Sequence, residues 1–268
     1  MIAKALAGGV RFLPMACVLV AAGGMVLHGP IPQLAHYHEF ADSRSWLGVP
    51  HAADVLSNVP FALVGLWAAV RLSRPGVRER LGRAWAGYAL LALALFATAF
   101  GSGYYHWAPD NARLVWDRLP IALACAGLLA GVHAETHARA RPWLLPLLAL
   151  FAIASVAWWS FTEARGSGDL RPYLLLQAAP LVLVPLWQAI ARSPRRSRIA
   201  FGIAIALYAL AKVAELEDAP IFHATGFMSG HTVKHLLAAL AAAVIARAVL
   251  QISMRAPSST TRLVGMLK

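Results

Sequence analysis

Residues 84–106 read AWAGYALLALALFATAFGSGYYH, and this stretch decides the fold class. It contains no Asp, Glu, Lys or Arg, and only its last residue carries an ionisable imidazole. An α-helix crosses the hydrocarbon core of a bilayer in about 20 apolar residues. A β-strand is disfavoured because apolar and polar residues do not alternate along the run. The stretch therefore predicts a transmembrane helix.

The same pattern recurs along the whole chain. The 268 residues are 59% hydrophobic and 13% charged, with a mean hydropathy of +0.61, whereas a soluble domain usually has about 25% charged residues. Eight apolar spans are predicted, at 9–28, 53–72, 84–106, 113–133, 142–161, 172–191, 199–216 and 231–252. The sequence thus predicts an all-α polytopic transmembrane helix bundle, with a seven-helix core and one extra N-terminal helix.

The arginines lie in alternate loops between these spans. The basic loops and the tail carry Arg71, Arg74, Arg78, Arg80 and Arg83; Arg139 and Arg141; Arg192, Arg195, Arg196 and Arg198; and Arg255 and Arg262. Loops on the cytoplasmic side carry such an excess. The net charge of +12 therefore indicates membrane topology rather than a nucleic-acid partner. We expect a multi-pass protein of a bacterial inner membrane, with both termini in the cytoplasm.

The predicted domain boundaries follow from these spans. Residues 1–34 form an N-terminal transmembrane helix or signal anchor, 35–252 the seven-helix membrane domain, and 253–268 a cytoplasmic tail. A cleaved secretory signal is the alternative for the first span, since a basic segment precedes the apolar run. We favour an uncleaved helix because the apolar stretch continues to Leu27.

Five polar residues interrupt the ends of three spans. Ser102 and His106 end the third span, Asp117 lies near the start of the fourth, and His231 and His235 open the eighth. The predicted topology places all five on the outer, periplasmic side of the membrane. Ionisable side chains inside a membrane are costly, at about 2.5–3.5 kcal/mol on insertion scales, so they tend to mark functional sites.

The spacing of these residues is typical of a catalytic zinc site. His231 and His235 are i,i+4 and can chelate one ion, and His106 would complete a three-imidazole site with one position open for water. Asp117 could then take a proton from that water, and Ser102 could donate a hydrogen bond to an oxyanion.

Blander interpretations stay open for the same residues. The histidines could pack or form hydrogen bonds, and Ser102 between two glycines could mark a close helix contact. Asp117 could form an ion pair with Arg113 or Arg118. Lys234 lies on another helical face and is expected to extend to lipid headgroups.

At these residues the chain resembles the alkaline ceramidases, within a superfamily of seven-helix membrane hydrolases that includes the adiponectin receptors. The shared pattern is S-x-x-x-H, an Asp eleven residues after that His, and H-x-x-x-H at the last helix. Here the pattern comprises Ser102, His106, Asp117, His231 and His235, and D-V-L-S-N-V-P at 54–60 resembles the start of the first core helix. The resemblance covers about residues 38–252. It implies a zinc-activated water that hydrolyses the amide of a ceramide, drawn from the bilayer, to a sphingoid base and a fatty acid.

The resemblance also implies a calcium site, which matches less well. Asp42, Trp46, Asp54 and Asn58 could supply parts of it, since calcium requires oxygen ligands. Arg44 lies among them, and the stretch has fewer carboxylates than the family pattern. Alternatively, Asp54 and Asn58 cap and pack the start of the helix.

A transporter is disfavoured because no discontinuous helix pair or repeat is visible in the sequence, and three function classes remain. The leading hypothesis is a zinc-dependent amidohydrolase acting on ceramide or a related lipid amide. A hydrolase of a different lipid amide or ester keeps the same site with another substrate. A non-catalytic haem-binding or receptor-like membrane protein is the third, although two histidines on one helix suit a compact ion better than haem.

Overall fold

Long helices dominate the computed structural model, which describes residues 9–139 and 141–255. The helices are α1 (Leu13–His28), α2 (Ala52–Leu56), α3 (Val59–Leu72), α4 (Val77–Leu81), α5 (Ala84–Trp107), α6 (Asn111–Thr136), α7 (Leu144–Glu163), α8 (Arg171–Ile190), α9 (Arg195–Leu216), α10 (Asp218–Thr225) and α11 (Gly230–Arg255). Residues 1–8 and most of the predicted tail at 253–268 lie outside the described residues. The predicted domain boundaries at 34 and 252 stay predictions.

Seven helical segments of the described chain are long and apolar enough to cross a membrane. They are Ala52–Leu72 (α2 with α3), α5, α6, α7, α8, α9 and Gly230–Gln251 of α11. The chain is thus an all-α, multi-pass integral membrane protein, as predicted. The N-terminal helix α1 has 16 residues, or about 24 Å at 1.5 Å per residue, which is shorter than the hydrocarbon core of about 30 Å. Whether it crosses stays a prediction.

The predicted second span is not one continuous helix. A turn at Ser57 and Asn58 separates α2 from α3. Pro60 follows at the second position of α3; it has no N–H to bond the carbonyl one turn earlier, so the helical ladder is interrupted here. The Asn58 amide donates instead to the Asp54 carbonyl at 2.8 Å. The interruption places two polar side chains inside the bundle, near one end.

Small residues let the central helices approach each other closely. A Cβ atom on Gly87 of α5 would lie 2.8 Å from the Gly127 carbonyl of α6, and one on Gly101 would overlap the Trp116 carbonyl. Close contact of this kind drives helix association in lipid, where apolar burial alone gives no advantage. Around this α5–α6 pair, α3 packs against α5, α11 against α3 and α9, and α8 closes the ring between α6 and α9.

The segment between α1 and α2 crosses the histidine-containing end of the bundle. Asp169, in the α7–α8 loop, accepts hydrogen bonds from the Ile31 backbone at 3.4 Å and the Trp158 indole at 2.9 Å, and pairs with Arg171 at 2.8 Å. At the other end of the segment, Arg44 pairs with Asp42 and donates to the Phe227 carbonyl at 2.9 Å. These bonds hold the segment over the ends of the core helices.

We predict that Asp169→Asn destabilises this end of the bundle. The Arg171 guanidinium holds the pKa of the Asp169 carboxyl well below its usual range. The unfolded-state pKa of an aspartate is about 3.9. When the folded-state pKa is lower, the carboxylate stabilises the folded protein at pH values above about 3.9. This stabilisation is lost as the pH falls through the folded-state pKa. The loss should be about 1.5–3 kcal/mol at pH 7, the weight of hydrogen bonds to a charged group.

Thermal unfolding in detergent between pH 7 and pH 3 measures this effect. The gap between wild type and Asp169→Asn should stay constant down to about pH 5 and narrow below about pH 4. Glu39→Gln is the control, because Glu39 pairs only with His36 at the surface, where both side chains are at least 75% exposed. Equal melting temperatures for Asp169→Asn and Glu39→Gln at pH 7 would show that Asp169 does not anchor the segment.

Candidate metal centre

Three histidines from two helices meet at one point inside the bundle. His106 lies in the last turn of α5, and His231 and His235 lie in the first two turns of α11. All three are buried, with exposures of 1%, 7% and 4%. One ring nitrogen from each lies within 4.8 Å of the other two, so the three could hold a metal ion. Among the described residues they are the one group of this kind.

The spacing of the ring nitrogens fits a tetrahedral ion. The Nε2 atoms of His106 and His231 are 3.3 Å apart. A tetrahedral zinc with Zn–N bonds of about 2.0–2.1 Å places neighbouring ligand nitrogens about 3.3–3.4 Å apart. A hydrogen bond between the two rings has a similar length, but the third ring makes the cluster suitable for a shared ion. The His235 ring centroid lies 4.9 Å from that of His106 and 4.8 Å from that of His231.

A hydroxyl group from α2–α3 determines which nitrogen of His235 can bind a metal. The Ser57 hydroxyl donates to the Asp54 carbonyl at 3.0 Å, so its oxygen is left to accept from His235 Nδ1 at 2.7 Å. The proton of His235 then resides on Nδ1, and Nε2 keeps its lone pair for the cluster. Ser57 therefore positions a ligand, a role that the sequence did not indicate.

The start of α11 is fixed by a second residue that the sequence analysis did not single out. The Asp218 carboxylate accepts from the backbone N–H of His231 at 2.7 Å and from that of Ala41 at 2.9 Å. It thus satisfies a free amide of the first helical turn. Asp218 begins α10, a short helix that the apolar pattern did not predict because it has only eight residues.

Ser102 and Asp117 are neighbours across the α5–α6 contact. Ser102 is buried one turn before His106, and its side chain lies beside the half-buried Asp117 on α6. The close approach of Gly101 to the Trp116 carbonyl holds the two helices together at this point. The close helix contact at Gly101 and Trp116 is thus followed, one residue later on each helix, by the polar residues Ser102 and Asp117.

The alternative ion pairs of Asp117 are absent from the described structure. Arg113 pairs with Asp110, which caps α6. Arg118 donates to Gln33 at 2.7 Å, and its guanidinium lies 3.9 Å from the centre of the Trp159 ring. Neither guanidinium therefore forms an ion pair with the Asp117 carboxylate in the part of the chain that the structure describes.

Lys234 differs from the expectation that it reaches lipid headgroups. Its Nζ lies 2.9 Å from His231 Nε2 and 3.0 Å from the Glu215 carboxylate, which also accepts from Lys212 at 2.6 Å. The side chain turns inward because Glu215 of α9 offers a countercharge at the same depth. The ammonium group therefore lies within hydrogen-bonding distance of the His231 nitrogen that faces His106.

An aromatic side chain of the segment between α1 and α2 covers the cluster. The Phe40 ring centroid lies 4.7 Å from that of His106 and 4.5 Å from that of His231. An apolar cover limits the access of water to a metal site and lowers its local dielectric constant. The sequence did not predict this contact, since Phe40 lies outside the apolar spans.

The four predicted calcium ligands have different surroundings. The Asp42 carboxylate is bonded by the Arg44 guanidinium at 2.7 and 2.8 Å, which also lowers its pKa, and Trp46 is 61% exposed. Asp54 and Asn58 are buried, and Asp54 accepts from the Thr232 hydroxyl at 2.7 Å. One oxygen each of Asp54 and Asn58 has no partner in the described structure. Calcium binding stays a prediction, with Arg44 occupying the carboxylate that it would need.

Comparison with known proteins gives no direct identification, since neither a protein-family model nor a curated protein matches this chain. The resemblance to the alkaline ceramidases rests on the motif residues and on the seven-helix arrangement with its buried histidines.

We predict that the purified chain binds one zinc and that alanine at His106, His231 or His235 removes it. Loss of one imidazole leaves only two protein ligands, which is insufficient for a stable site. Metal analysis by mass spectrometry after exchange into metal-free buffer measures the stoichiometry. His223→Ala is the matched control, because His223 lies on α10 outside the cluster. This variant should retain zinc. Full zinc occupancy in His231→Ala would rule out the assignment.

Proposed function

We propose that this chain is a membrane-embedded, zinc-dependent hydrolase that cleaves the amide bond of a ceramide or a related lipid amide. The observation that carries the proposal is the buried three-histidine cluster, whose ring nitrogens lie within 4.8 Å of one another, with those of His106 and His231 3.3 Å apart. It lies at the ends of membrane-spanning helices, near a serine and a carboxylate that forms no ion pair in the described structure. Three imidazoles leave one of the four positions of a tetrahedral ion open, which is typical of catalytic rather than structural zinc.

The chain's own residues supply the proton transfers. Bound zinc would act as a Lewis acid and lower the pKa of its water to about 7. Asp117 accepts the proton of the attacking water and returns it to the amide nitrogen as the C–N bond breaks. The hydroxyl of the water ends on the acyl carbon, so the products are a carboxylic acid and an amine.

Two further polar groups suit a developing negative charge. The Ser102 hydroxyl can rotate from Asp117 to donate to the carbonyl oxygen of the substrate. The Lys234 ammonium, held by Glu215, lies beside the His231 ring and can attract that oxygen or the carboxylate product. Because Phe40 limits water, these interactions act in a medium of low dielectric constant, where they are stronger.

An apolar groove at the depth of the site supports a lipid substrate. Its volume is about 380 Å³, and it lies between α2–α3 and α5. It is lined by Val55, Leu56, Val59, Ala62, Ala99, Phe100, Gly103, Tyr104 and Trp107. Gly103 and Trp107 follow Ser102 and His106 in sequence, so the groove lies at the same depth on α5, on a neighbouring face of the helix. An acyl chain entering from the bilayer would find an apolar surface at the depth of the reactive groups.

We predict that Asp117→Asn retains zinc and lowers turnover of a ceramide by about 10²–10⁴, the usual weight of general acid–base catalysis. Ser102→Ala should also retain zinc and lower turnover by about 10²–10³, the scale of one oxyanion donor. Release of fatty acid in mixed micelles at saturating substrate measures both. Asp110→Asn is the control, since Asp110 caps the same helix outside the site and asparagine caps equally well. Unchanged turnover in Asp117→Asn would refute the proton-transfer role.

A second prediction concerns the groove. A Cβ on Gly103 meets only Val55 at 4.0 Å, so Gly103→Leu is accommodated and its side chain narrows the groove. Turnover of long-chain lipid amides should fall at least about tenfold relative to a short-chain amide, since roughly 1–3 kcal/mol of apolar contact is lost. Gly202→Leu is the control, because Gly202 of α9 also has open space around it and lies outside the groove. If turnover depends on the acyl-chain length of the substrate in the same way in both variants, the groove does not bind the acyl chain.

A further inference from the structure

A basic cavity lies at the end of the bundle opposite the histidines. Its volume is about 610 Å³, within the roughly 300–1,000 Å³ of ligand pockets. The lining residues are Trp67, Arg71, Arg74, Pro75, Val77, Arg80, Arg247, Leu250 and Gln251. Arg247 is sixteen residues after His231 on α11, or about 24 Å along the helix. The cavity is therefore separate from the proposed active site.

The guanidinium groups of this cavity have no countercharge among the described residues. Four arginines line it, and no Asp or Glu is among the lining residues. None of the four forms an ion pair with another described residue. The nearby acid Glu79 is exposed on α4 and does not line the cavity, and residues 256–268 contain no Asp or Glu. Four like charges around one cavity repel each other unless an anion joins them.

Arg80 provides a second, independent observation. Its Nε atom is buried and has no hydrogen-bond partner in the described structure. Its guanidinium lies against Gly76, where a Cβ would approach Nη1 to 2.7 Å. Gly76 has a φ of +76°, a conformation that favours glycine. The side chain is thus held in place with a buried donor free, although a buried unsatisfied donor costs about 1–3 kcal/mol.

The position of the cavity favours one source of anion. Arg71 and Arg247 lie within the last turns of the spans Ala52–Leu72 and Gly230–Gln251, at the depth where lipid headgroups meet the hydrocarbon core. Trp67, Val77 and Leu250 give the cavity an apolar wall, and tryptophan is typical of this interface. We propose that the cavity binds the phosphate headgroup of an anionic phospholipid, with the guanidinium groups on the phosphate and the apolar wall on the upper part of an acyl chain.

Thermal unfolding of the full-length protein in a neutral detergent tests this proposal. The probes are phosphatidylglycerol, phosphatidylcholine with the same acyl chains, and inorganic phosphate. Phosphatidylglycerol at about ten times its Kd should raise the melting temperature by about 3–6 °C, whereas the other two probes should not. The double variant Arg71→Gln/Arg80→Gln should lose this shift.

The matched control is Arg195→Gln/Arg196→Gln, which removes the same charge from exposed positions in the first turn of α9, away from the cavity. It should keep the full shift. If the first double variant does not fold, Arg247→Gln on the exposed face of α11 replaces it. Phosphatidylglycerol should then raise the melting temperature of Arg247→Gln by less than that of the wild type. An equal shift with phosphatidylcholine, or a shift that survives in the cavity variants, would overturn the proposal. An equal rise in melting temperature with inorganic phosphate would show that the cavity binds free phosphate rather than a lipid headgroup.

Discussion

The hydrogen bonds between the α2–α3 turn and the first turns of α11 are the interactions on which the site depends. Helices in a bilayer gain little by burying apolar surface against each other, so polar and close contacts decide how they pair. The Ser57 hydroxyl joins His235, and the Asp54 carboxylate joins Thr232 at 2.7 Å. Because these contacts lie within one turn of each other on α11, they fix both its position and its rotation. The imidazoles then face His106 rather than lipid.

The transmembrane helices and the histidine cluster could be predicted from the sequence because both depend largely on local sequence patterns. Apolar length alone identifies a span, and i,i+4 spacing alone places His231 and His235 on one face. The proximity of His106 required a further inference, that span ends on one side of the membrane lie at one depth. The structure agrees with that inference, and it places Asp117 beside Ser102 without an arginine partner.

What the sequence could not predict are contacts between distant elements. Lys234 turns toward the site because of Glu215 on another helix, and periodicity contains no information on that pairing. The α2–α3 turn depends on Pro60 together with bonds to residues about 180 positions later, so its span appears continuous in a hydropathy profile. Likewise, Arg44 beside Asp42 is visible in the sequence, but its hold on the Phe227 carbonyl is not.

The buried polar atoms without partners support a functional interpretation of this end of the bundle. His106 Nδ1, Asp54 Oδ2 and Asn58 Oδ1 all belong to the histidine cluster or to the residues bonded to its helix. Each such atom costs about 1–3 kcal/mol in a folded protein, and in lipid no surrounding water reduces that cost. Packing does not explain them, since an apolar side chain of similar size would fill the same space at lower cost. An ion held by the three histidines would change the balance, because a metal-bound imidazole donates its other N–H more strongly to a nearby oxygen acceptor. The polar layer is therefore suited to orienting the imidazoles around such an ion, whose binding would add to the stability of this end of the bundle.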